Sequence, residues 1–283
     1  MIFKPGLYIV STPIGNLDDI TLRALETLKN STIILCEDTR ISRKLLAKHN
    51  IKTKLQVYND HSDYQEREFI RTLIDNGAIV SLISDAGTPL IADPGYKLVR
   101  YLRKLNYHID VVPGVSALTT SITISGLPSD RFLFAGFLPK TIEGKKKIFT
   151  ELSNIKATLI FFETASRIEQ SLHTAFTVFG NREVCVAREL TKFYQEVKSG
   201  LIEDVINFYN SNIIKGEIVL LISGAAEPNK ALLADDLKNF IDLYLSKGWS
   251  AKSVTDIANE NFGRSYSKKE IYSIVNKIKN GSD

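Results

Sequence analysis

The chain has 283 residues, more than one domain usually contains, so we expect two cores with room for an appendage. Hydrophobic residues make up 44% of it and charged residues 24%, a composition that excludes wholesale disorder. The formal net charge is only +4, so an anionic partner such as RNA needs basic residues gathered on one face.

The cysteines, the histidines and the apolar runs exclude further classes of protein. Cys36 and Cys185 each lie in an apolar run, which predicts two buried thiols in strands. The histidines are scattered without metal-ligand spacing, so no metal site is expected. No apolar run approaches the roughly 18 residues that span a bilayer, and no secretory signal is present. We therefore expect a cytoplasmic protein with no membrane partner.

The first part of the chain alternates short apolar runs with amphipathic stretches. Four runs are typical of buried strands: residues 7–10, 32–36, 78–83 and 109–112. Four stretches are typical of helices: residues 19–30, 41–49, 64–76 and 95–105. Asp93 and Pro94 are good residues for a helix start, as cap and first helical residue. The alternation predicts a mainly parallel sheet covered by helices.

A second unit follows Pro113 and Gly114. Four segments in it are predicted strands: residues 131–134, 158–162, 183–187 and 217–222. Two segments are predicted helices: residues 116–124 and 166–179. The polar, basic stretch 139–147 fits either a loop or a helix start.

The remaining chain changes character. Residues 223–229 lose all periodicity and predict a linker. Three helices are predicted after it: residues 232–245, 251–259 and 268–279. Ser250 and Ser267 are suitable caps. The tail fits a helix-turn-helix or a helical cap packed on the body. The predicted fold class is α/β, with three parts: residues 1–113, 114–226 and a helical tail at 231–283.

Four loops rich in small or polar residues follow predicted strands: residues 11–16, 37–40, 84–95 and 113–117. Ligands of open α/β sheets bind at this edge. The first loop has one glycine, so it lacks the G-x-G-x-x-G pattern of dinucleotide sites, and no P-loop is present. Residues 84–89 suit an uncharged or zwitterionic ligand, although any single such loop also fits an ordinary tight turn.

Charged residues at the strand ends allow two interpretations. Glu37, Asp38 and Arg40 form either the charged floor of an active site or a helix cap with a surface ion pair, in which Asp38 or Thr39 is the cap. Further charged residues at strand ends are candidates to face the first domain across a cleft: Glu163, residues 188–192 and residues 215–217.

Taken together and in order, the motifs resemble the tetrapyrrole methylase superfamily, and within it the 2′-O-ribose (cytidine) methyltransferases of small-subunit ribosomal RNA. The motifs that carry the resemblance are residues 11–17, 36–40, 84–89 with 93–95, 113–117, 125–128, 136–139, 188–192 and 215–217. Val115 stands where the family usually has proline. Ser166 stands where it usually has histidine, so position 166 has no imidazole base.

The resemblance implies two α/β domains with S-adenosylmethionine in the cleft between them, a homodimer and an extra C-terminal domain. It also implies the donor contacts: Pro13, Ile14, Asp85, Ala86, Gly87, Thr88, Ile91, Ser116, Ala117, Phe162 and Ala187.

A ribose hydroxyl is a weak nucleophile that needs a general base or a cation to stabilise the developing alkoxide. The charged candidates for these roles are Lys192, Arg188, Glu189, Glu37, Asp38 and Arg40. Lys192 suits either role if its neighbours lower its pKa.

Ribosomal RNA or the small ribosomal subunit is the expected partner. Two groups of basic residues are candidates to bind it, or are ordinary solvated faces: Lys140, Lys145, Lys146 and Lys147, and Arg264, Lys268, Lys269, Lys277 and Lys279. Two other functions stay open at this point. One is methylation of a porphyrin-like small molecule, and the other is RNA binding without catalysis.

Overall fold

The computed structural model describes residues 2–59, 64–210, 214–226, 230–263 and 265–280, with backbone only at 230–233. The chain forms two compact units, residues 1–224 and 225–283. Both sheets lie in the first unit, and its division at residue 113 stays a prediction. None of the described helices combines the length and apolar character that crossing a bilayer requires.

The first sheet is parallel throughout, with strand order β3-β2-β4-β1-β5. Its strands are β1 (Gly6–Val10), β2 (Ile33–Cys36), β3 (Leu55–Val57), β4 (Ile79–Leu82) and β5 (Ile109–Val112). Its helices are α1 (Leu22–Asn30), α2 (Thr39–Lys48), α3 (Tyr64–Asp75) and α4 (Tyr96–Lys104). The predicted parallel sheet is confirmed. Because β1 lies between β4 and β5, the loops after these three strands are neighbours at one edge.

Two details of this half differ from the prediction. Strand β3 was not predicted, because it has three residues and lies half-exposed at the edge of the sheet. Helix α4 begins at Tyr96 with Gly95 as its N-cap, so a helix start at Asp93 and Pro94 is wrong. The chain turns at Gly95, whose φ of 127° favours glycine, and this leaves Asp93 in the loop before the helix.

The second sheet is mixed, with order β6-β7-β10-β8-β9. Its strands are β6 (Phe132–Phe137), β7 (Thr158–Thr164), β8 (Glu183–Arg188), β9 (Glu196–Leu201) and β10 (Glu217–Ile222). Its helices are α5 (Ala117–Ser125), α6 (Ile142–Leu152), α7 (Ile168–Phe179) and α8 (Ile202–Asn210). The stretch at 139–147 contains the start of α6. Strand β9 and helix α8 were not predicted, since Lys198 and Gly200 interrupt the apolar pattern of β9.

The two faces of the second sheet have different coverings. Phe161 and Leu220 belong to a core formed with α6, α7 and α8. Ile160 and Leu221 belong to a second core, which includes Ile14 from the loop after β1. The first of the predicted donor loops therefore packs against the second sheet. Both cysteines are buried and free, as expected.

The second unit contains α9 (Lys230–Ser246), α10 (Ala251–Phe262) and α11 (Lys268–Lys279) around a small core of their own. Ser250 caps α10 and Ser267 caps α11, as predicted; Glu270 completes a capping box at Ser267. The predicted linker is irregular at 223–226, and its residues 227–229 lie outside the described residues, as does Arg264. The helix-turn-helix interpretation stays a prediction.

Candidate active site

The loops after β1, β4 and β5 are joined by hydrogen bonds. Thr12 N donates to Gly87 O at 2.8 Å, and Gly87 N donates to Thr12 O at 3.0 Å. The hydroxyls of Ser11 and Thr88 lie 3.0 Å apart, and Thr88 donates to Val115 O at 3.1 Å. Three loops that are far apart in sequence therefore form one connected rim at the carboxyl edge of the first sheet.

A cleft of about 460 Å³ opens between this rim and the second sheet. The implied donor contacts other than Pro13 all line it: Ile14, Asp85, Ala86, Gly87, Thr88, Ile91, Ser116, Ala117, Phe162 and Ala187. Position in the cleft wall is what the structure establishes, and contact with the donor stays a prediction.

The cleft also contains residues that the sequence analysis did not select. Phe137 is 59% exposed, lines the cleft and lies with its ring centroid 5.3 Å from that of Phe162. Leu190 and Val219 add further apolar surface. Phe137 belongs to the motif at 136–139, so its position in the ordered set of motifs was the available signal.

Three carboxylates, those of Glu37, Asp85 and Asp93, line the cleft on the side of the first sheet. Burial raises the pKa of Asp93 to about 6; the charges of Glu37 and Asp85 add to this shift, while a hydrogen bond with Ser84 opposes it. Burial also raises the pKa of Asp85. The acidic wall suits a cationic ligand, and Asp93 changes its charge near pH 6.

Asp38 and Arg40 form a helix cap and an ion pair. Asp38 accepts from Arg40 N at 2.7 Å as the N-cap of α2, and Arg40 Nε donates to Asp38 Oδ1 at 3.0 Å. The Arg40 side chain is 85% exposed. The hydrogen bonds from Arg40 hold the pKa of Asp38 low, at about 2. Asp38 N also donates to Asp85 Oδ1 at 3.1 Å, so this cap orients a carboxylate of the cleft.

Lys192 is held between two carboxylates. Its Nζ donates to Glu189 Oε1 and to Glu217 Oε2, each at 2.9 Å, and Glu217 N donates to Glu189 Oε1 at 2.9 Å. Burial lowers the pKa of Lys192, but the hydrogen bonds that its ammonium donates to Glu189 and Glu217, with the charges of these carboxylates, outweigh burial and the net shift is upward. The lowered pKa that a base requires is absent, so Lys192 is a fixed cation.

The loop that carries Lys192 touches the first donor loop. Asn16 N donates to Thr191 Oγ1 at 3.0 Å, and a Cβ on Gly15 would lie only 2.5 Å from Lys192 Cγ. Glu189 and Thr191 have positive φ values of 48° and 64°, which bend the loop towards this contact. The ammonium of Lys192 thus lies at the rim of the cleft, where Glu217 is part of the wall.

Arg188 faces away from the cleft. Successive side chains of a strand point to opposite faces, and its neighbour Ala187 lines the cleft. Arg188 Nε lies 3.5 Å from Glu196 Oε1, and its Nη1 donates to Lys215 O at 3.3 Å. These contacts hold Arg188 outside the cleft wall, and its catalytic role stays a prediction.

Glu163 is part of the cleft wall, but its carboxylate lies in a buried charge network with residues of α6 and α7. Its carboxylate lies 3.2 Å from Lys145 Nζ and 2.6 Å from Arg167 Nη2, and Ser171 Oγ donates to it at 2.6 Å. The Lys145 side chain is 0% exposed. RNA binding by Lys145 is therefore wrong, because its ammonium is enclosed. The other three lysines of its predicted group are exposed.

The sequence model of the family described as Tetrapyrrole (Corrin/Porphyrin) Methylases matches residues 6–206. The chain belongs to the tetrapyrrole methylase family. A relative from Rickettsia prowazekii, named ribosomal RNA small subunit methyltransferase I, is 67% identical over 280 residues, with 99% of each chain covered. A protein of the same name from Halalkalibacterium halodurans is 37% identical, with 97% of this chain and 96% of the relative covered.

The fold is also shared with solved structures of methyltransferases. The methyltransferase CobJ aligns with a TM-score of 0.58 over 79% of this chain and 96% of its own, at 16% sequence identity. At that identity the likeness bears on the fold alone. It confirms the predicted two-sheet tetrapyrrole-methylase architecture.

Membership of the tetrapyrrole methylase family makes the protein a methyltransferase that uses S-adenosylmethionine, as expected. The cleft fits this donor. Its volume of about 460 Å³ lies within the range of small-molecule sites, roughly 300–1,000 Å³. Ile14, Ile91 and Phe162 offer apolar surface for an adenosine, while Glu37 and Asp85 offer negative charge for the sulfonium and ammonium groups.

Proposed function

We propose that this protein methylates small-subunit ribosomal RNA, at the 2′-hydroxyl of a cytidine ribose. The observation that carries the proposal is the relative named ribosomal RNA small subunit methyltransferase I, which matches 99% of this chain at 67% identity. The finer statement, ribose rather than base, rests on the resemblance of the ordered motifs. It is consistent with a cleft that is lined by carboxylates and has the ammonium of Lys192 bound to Glu217 of its wall.

The chain has two tasks in the transfer. S-adenosylmethionine supplies an electrophilic methyl group on a sulfonium centre. The walls of the cleft must align the ribose oxygen with that carbon, which by itself lowers the barrier substantially. Lys192 then provides a positive charge for the developing alkoxide, and it is preorganised because Glu189 and Glu217 both hold its ammonium.

The carboxylates of the cleft are the better candidates for accepting the proton. Lys192 stays protonated at neutral pH and cannot accept the proton of the ribose hydroxyl, so Glu37 and Asp93 are the candidates for the general base. A general base acts best when its pKa is near the working pH, and the pKa of Asp93 is raised to about 6. We therefore propose that Asp93 accepts the proton of the ribose hydroxyl, and that Asp85 and Glu37 face the cationic donor.

The helical unit offers a surface for RNA. In α11 the buried residues Ile271 and Val275 face its core. One exposed stripe on another face carries Lys269, Tyr272 and Lys279, a combination of charge and aromatic surface that suits phosphate and base contacts. We infer that this stripe binds the ribosomal RNA substrate.

A homodimer and a cytoplasmic location belong to the same proposal. Strand β6 is at the edge of its sheet and exposes Phe132, and sheet edges with exposed apolar side chains are usually covered by a partner. A second copy is the partner that the family resemblance implies, and sedimentation velocity tests it. The location follows from the proposed substrate, since ribosomes occupy the cytoplasm.

Neither alternative function is favoured by the structure. Likeness to a solved methyltransferase at 16% identity does not specify a substrate, so it does not favour a porphyrin-like one. A protein that only binds RNA has no need of the connected rim, the acidic wall and the paired Lys192. Calorimetry with S-adenosylmethionine tests this alternative, because a protein that does not bind the donor would be an RNA-binding protein without catalysis.

The decisive experiment maps ribose methylation of ribosomal RNA in a strain that lacks this gene. We expect one ribose methyl group to disappear from the small-subunit RNA. The wild-type gene restores it, whereas a gene carrying Lys192→Ala, the matched control, does not. An unaltered methylation map in the deletion strain would contradict the proposal.

A further inference from the structure

Two aromatic side chains stand in solvent directly after Lys192. Phe193 is 93% exposed and Tyr194 is 69% exposed, and their rings contact each other edge to face, with centroids 5.0 Å apart and planes at 88°. Aromatic side chains of this size are normally buried, so a pair left in water marks a surface that another molecule covers.

The backbone that carries this aromatic pair is held in place at both ends. Thr191 N donates to Gln195 Oε1 at 2.7 Å, and Gln195 N donates to Lys192 O at 3.1 Å. Thr191 also accepts from Asn16 N at 3.0 Å. The rings therefore project from an organised turn, so a partner has little loop ordering to bring about.

The aromatic pair lies close to the cleft. Leu190 lines the cleft, and consecutive Cα atoms are about 3.8 Å apart, so the Cα of Phe193 lies within about 11 Å of that of Leu190. Lys192, between them, reaches Glu217 in the cleft wall. The aromatic pair thus follows, directly in the chain, the cation that we assign to the acceptor oxygen.

We propose that Phe193 and Tyr194 stack on a base of the acceptor RNA next to the nucleotide that is methylated. The proposal rests on the proposed function. Proteins read RNA mainly in single strands, where unstacked bases lie on aromatic rings, and a ribose must leave its helix to enter a cleft. Because the two rings are perpendicular, one presents its face to a base while the other forms a side wall.

The size of the pair favours a base over a protein surface. Its chain neighbours are polar or charged: Thr191, Lys192, Gln195 and Glu196. Two rings surrounded in this way match the area of one nucleobase, whereas a stable protein interface buries about 800 Å² on each partner.

The test uses the full-length enzyme, labelled S-adenosylmethionine and small ribosomal subunits from the deletion strain. We expect Phe193→Ala and Tyr194→Ala to raise the KM for subunits about five- to 150-fold, the range for loss of one stacked base. The Kd for S-adenosylmethionine stays unchanged. Phe193→Trp keeps a stacking face and restores KM, whereas Phe193→Leu keeps apolar surface without one and does not. Leu105→Ala, an exposed position at the opposite edge of the first sheet, is the control.

Three results would overturn the inference while leaving the proposed function intact. These are an unchanged KM in both alanine variants, a KM that Phe193→Leu restores as well as Phe193→Trp, and dissociation of a wild-type dimer by Phe193→Ala in sedimentation velocity. The last two indicate a protein surface over the rings. A wild-type enzyme that transfers no methyl group to the subunits would instead contradict the proposed function itself.

Discussion

Thr12 and Gly87 form a reciprocal pair of backbone hydrogen bonds, of 2.8 and 3.0 Å, although 75 residues separate them in the chain. The pair joins the loop after β1 to the loop after β4 and places Ile14 beside Gly87 in the cleft wall. Gly87 has a φ of 82°, which a residue with a side chain rarely adopts. The bridge therefore helps to fix the shape of the cleft, together with the hydrogen bonds between Ser11 and Thr88 and between Thr88 and Val115.

We predict that Gly87→Ala weakens binding of S-adenosylmethionine about tenfold or more. An added Cβ would meet Ile14 Cγ2 at 3.3 Å and would also carry the cost of a positive φ, about 1–2 kcal/mol. Gly77→Ala is the matched control, because Gly77 has a φ of 87° and no neighbour within 4 Å of an added Cβ. Calorimetry and thermal melting of both variants separate strain from contact. Equal donor affinity in the two variants would contradict a role for the Gly87–Ile14 contact.

Lys192→Ala should abolish methyl transfer while donor binding survives. Removal of a preorganised group that stabilises developing charge typically costs 100- to 1,000-fold in rate, on the order of 3–4 kcal/mol. Because the pKa of Lys192 is raised, we also expect no loss of wild-type turnover from this residue between about pH 7 and 9. Lys198→Ala is the control, since that lysine of β9 lies over the ring of Phe208 in α8. Single-turnover rates measure the effect, and an unchanged rate in Lys192→Ala excludes its catalytic role.

Asp93→Asn should stabilise the protein at pH 7.5 and not at pH 4. The folded-state pKa of Asp93, about 6, lies above its ordinary value of 3.8, so the folded protein binds this proton more tightly. The stabilisation from that proton is present below about pH 4 and is lost as pH rises through 6. Melting temperatures of the variant and the wild type should therefore diverge as pH rises, whereas the exposed Asp130→Asn should follow the wild type.

Activity provides the second readout for Asp93. If Asp93 accepts the ribose proton, wild-type turnover falls below about pH 6 as its carboxylate protonates, and Asp93→Asn is inactive at every pH. A variant with full activity would place the base elsewhere in the acidic wall, with Glu37 the next residue to test.

Lys145→Met should destabilise the protein by about 3–5 kcal/mol, because it leaves the carboxylate of Glu163 buried with one partner fewer. Adding Glu163→Gln removes the buried charge and should restore part of that loss. Lys146→Met, at the adjacent exposed position, is the matched control and should be neutral. Urea unfolding measures all three. If Lys145→Met and Lys146→Met lowered the free energy of unfolding by the same small amount, the ion pair between Lys145 and Glu163 would not stabilise the fold.

The double variant Lys269→Ala/Lys279→Ala should weaken binding to small-subunit RNA and reduce its salt dependence. Each lysine–phosphate pair that is removed lowers the slope of log affinity against log salt by about 0.7–0.9, so the slope should fall by about 1.5. Lys238→Ala, in the same unit on α9, serves as control. Filter binding at several salt concentrations gives the slope, and a slope equal to that of the wild type would exclude phosphate binding by α11.

Local rules were sufficient to predict much of the donor site. Parallel strands place their following loops at one edge, so the motifs at 11–16 and 84–95 were expected to meet, and they do. The caps at Ser250 and Ser267 were predicted from residues within one helical turn. The alternation of side chains along a strand also predicts that Arg188 points away from the face of the sheet on which Ala187 lies.

The sequence by itself determined the alternation of strands and helices, the edge on which ligands bind and, through its ordered motifs, the family. Tertiary structure decided the state of Lys192 and of Lys145, because a carboxylate distant in the chain contacts each ammonium. Lys192 is a fixed cation because its ammonium pairs with Glu217, which belongs to β10. Lys145 is enclosed, and its ammonium pairs with the buried carboxylate of Glu163 in β7. Asp93 was predicted to cap a helix, but the helix begins after the turn at Gly95 and Asp93 lies in the cleft wall. No local pattern contains the contacts of Lys192 with Glu217 and of Lys145 with Glu163, since each joins elements whose meeting depends on the packing of the whole unit.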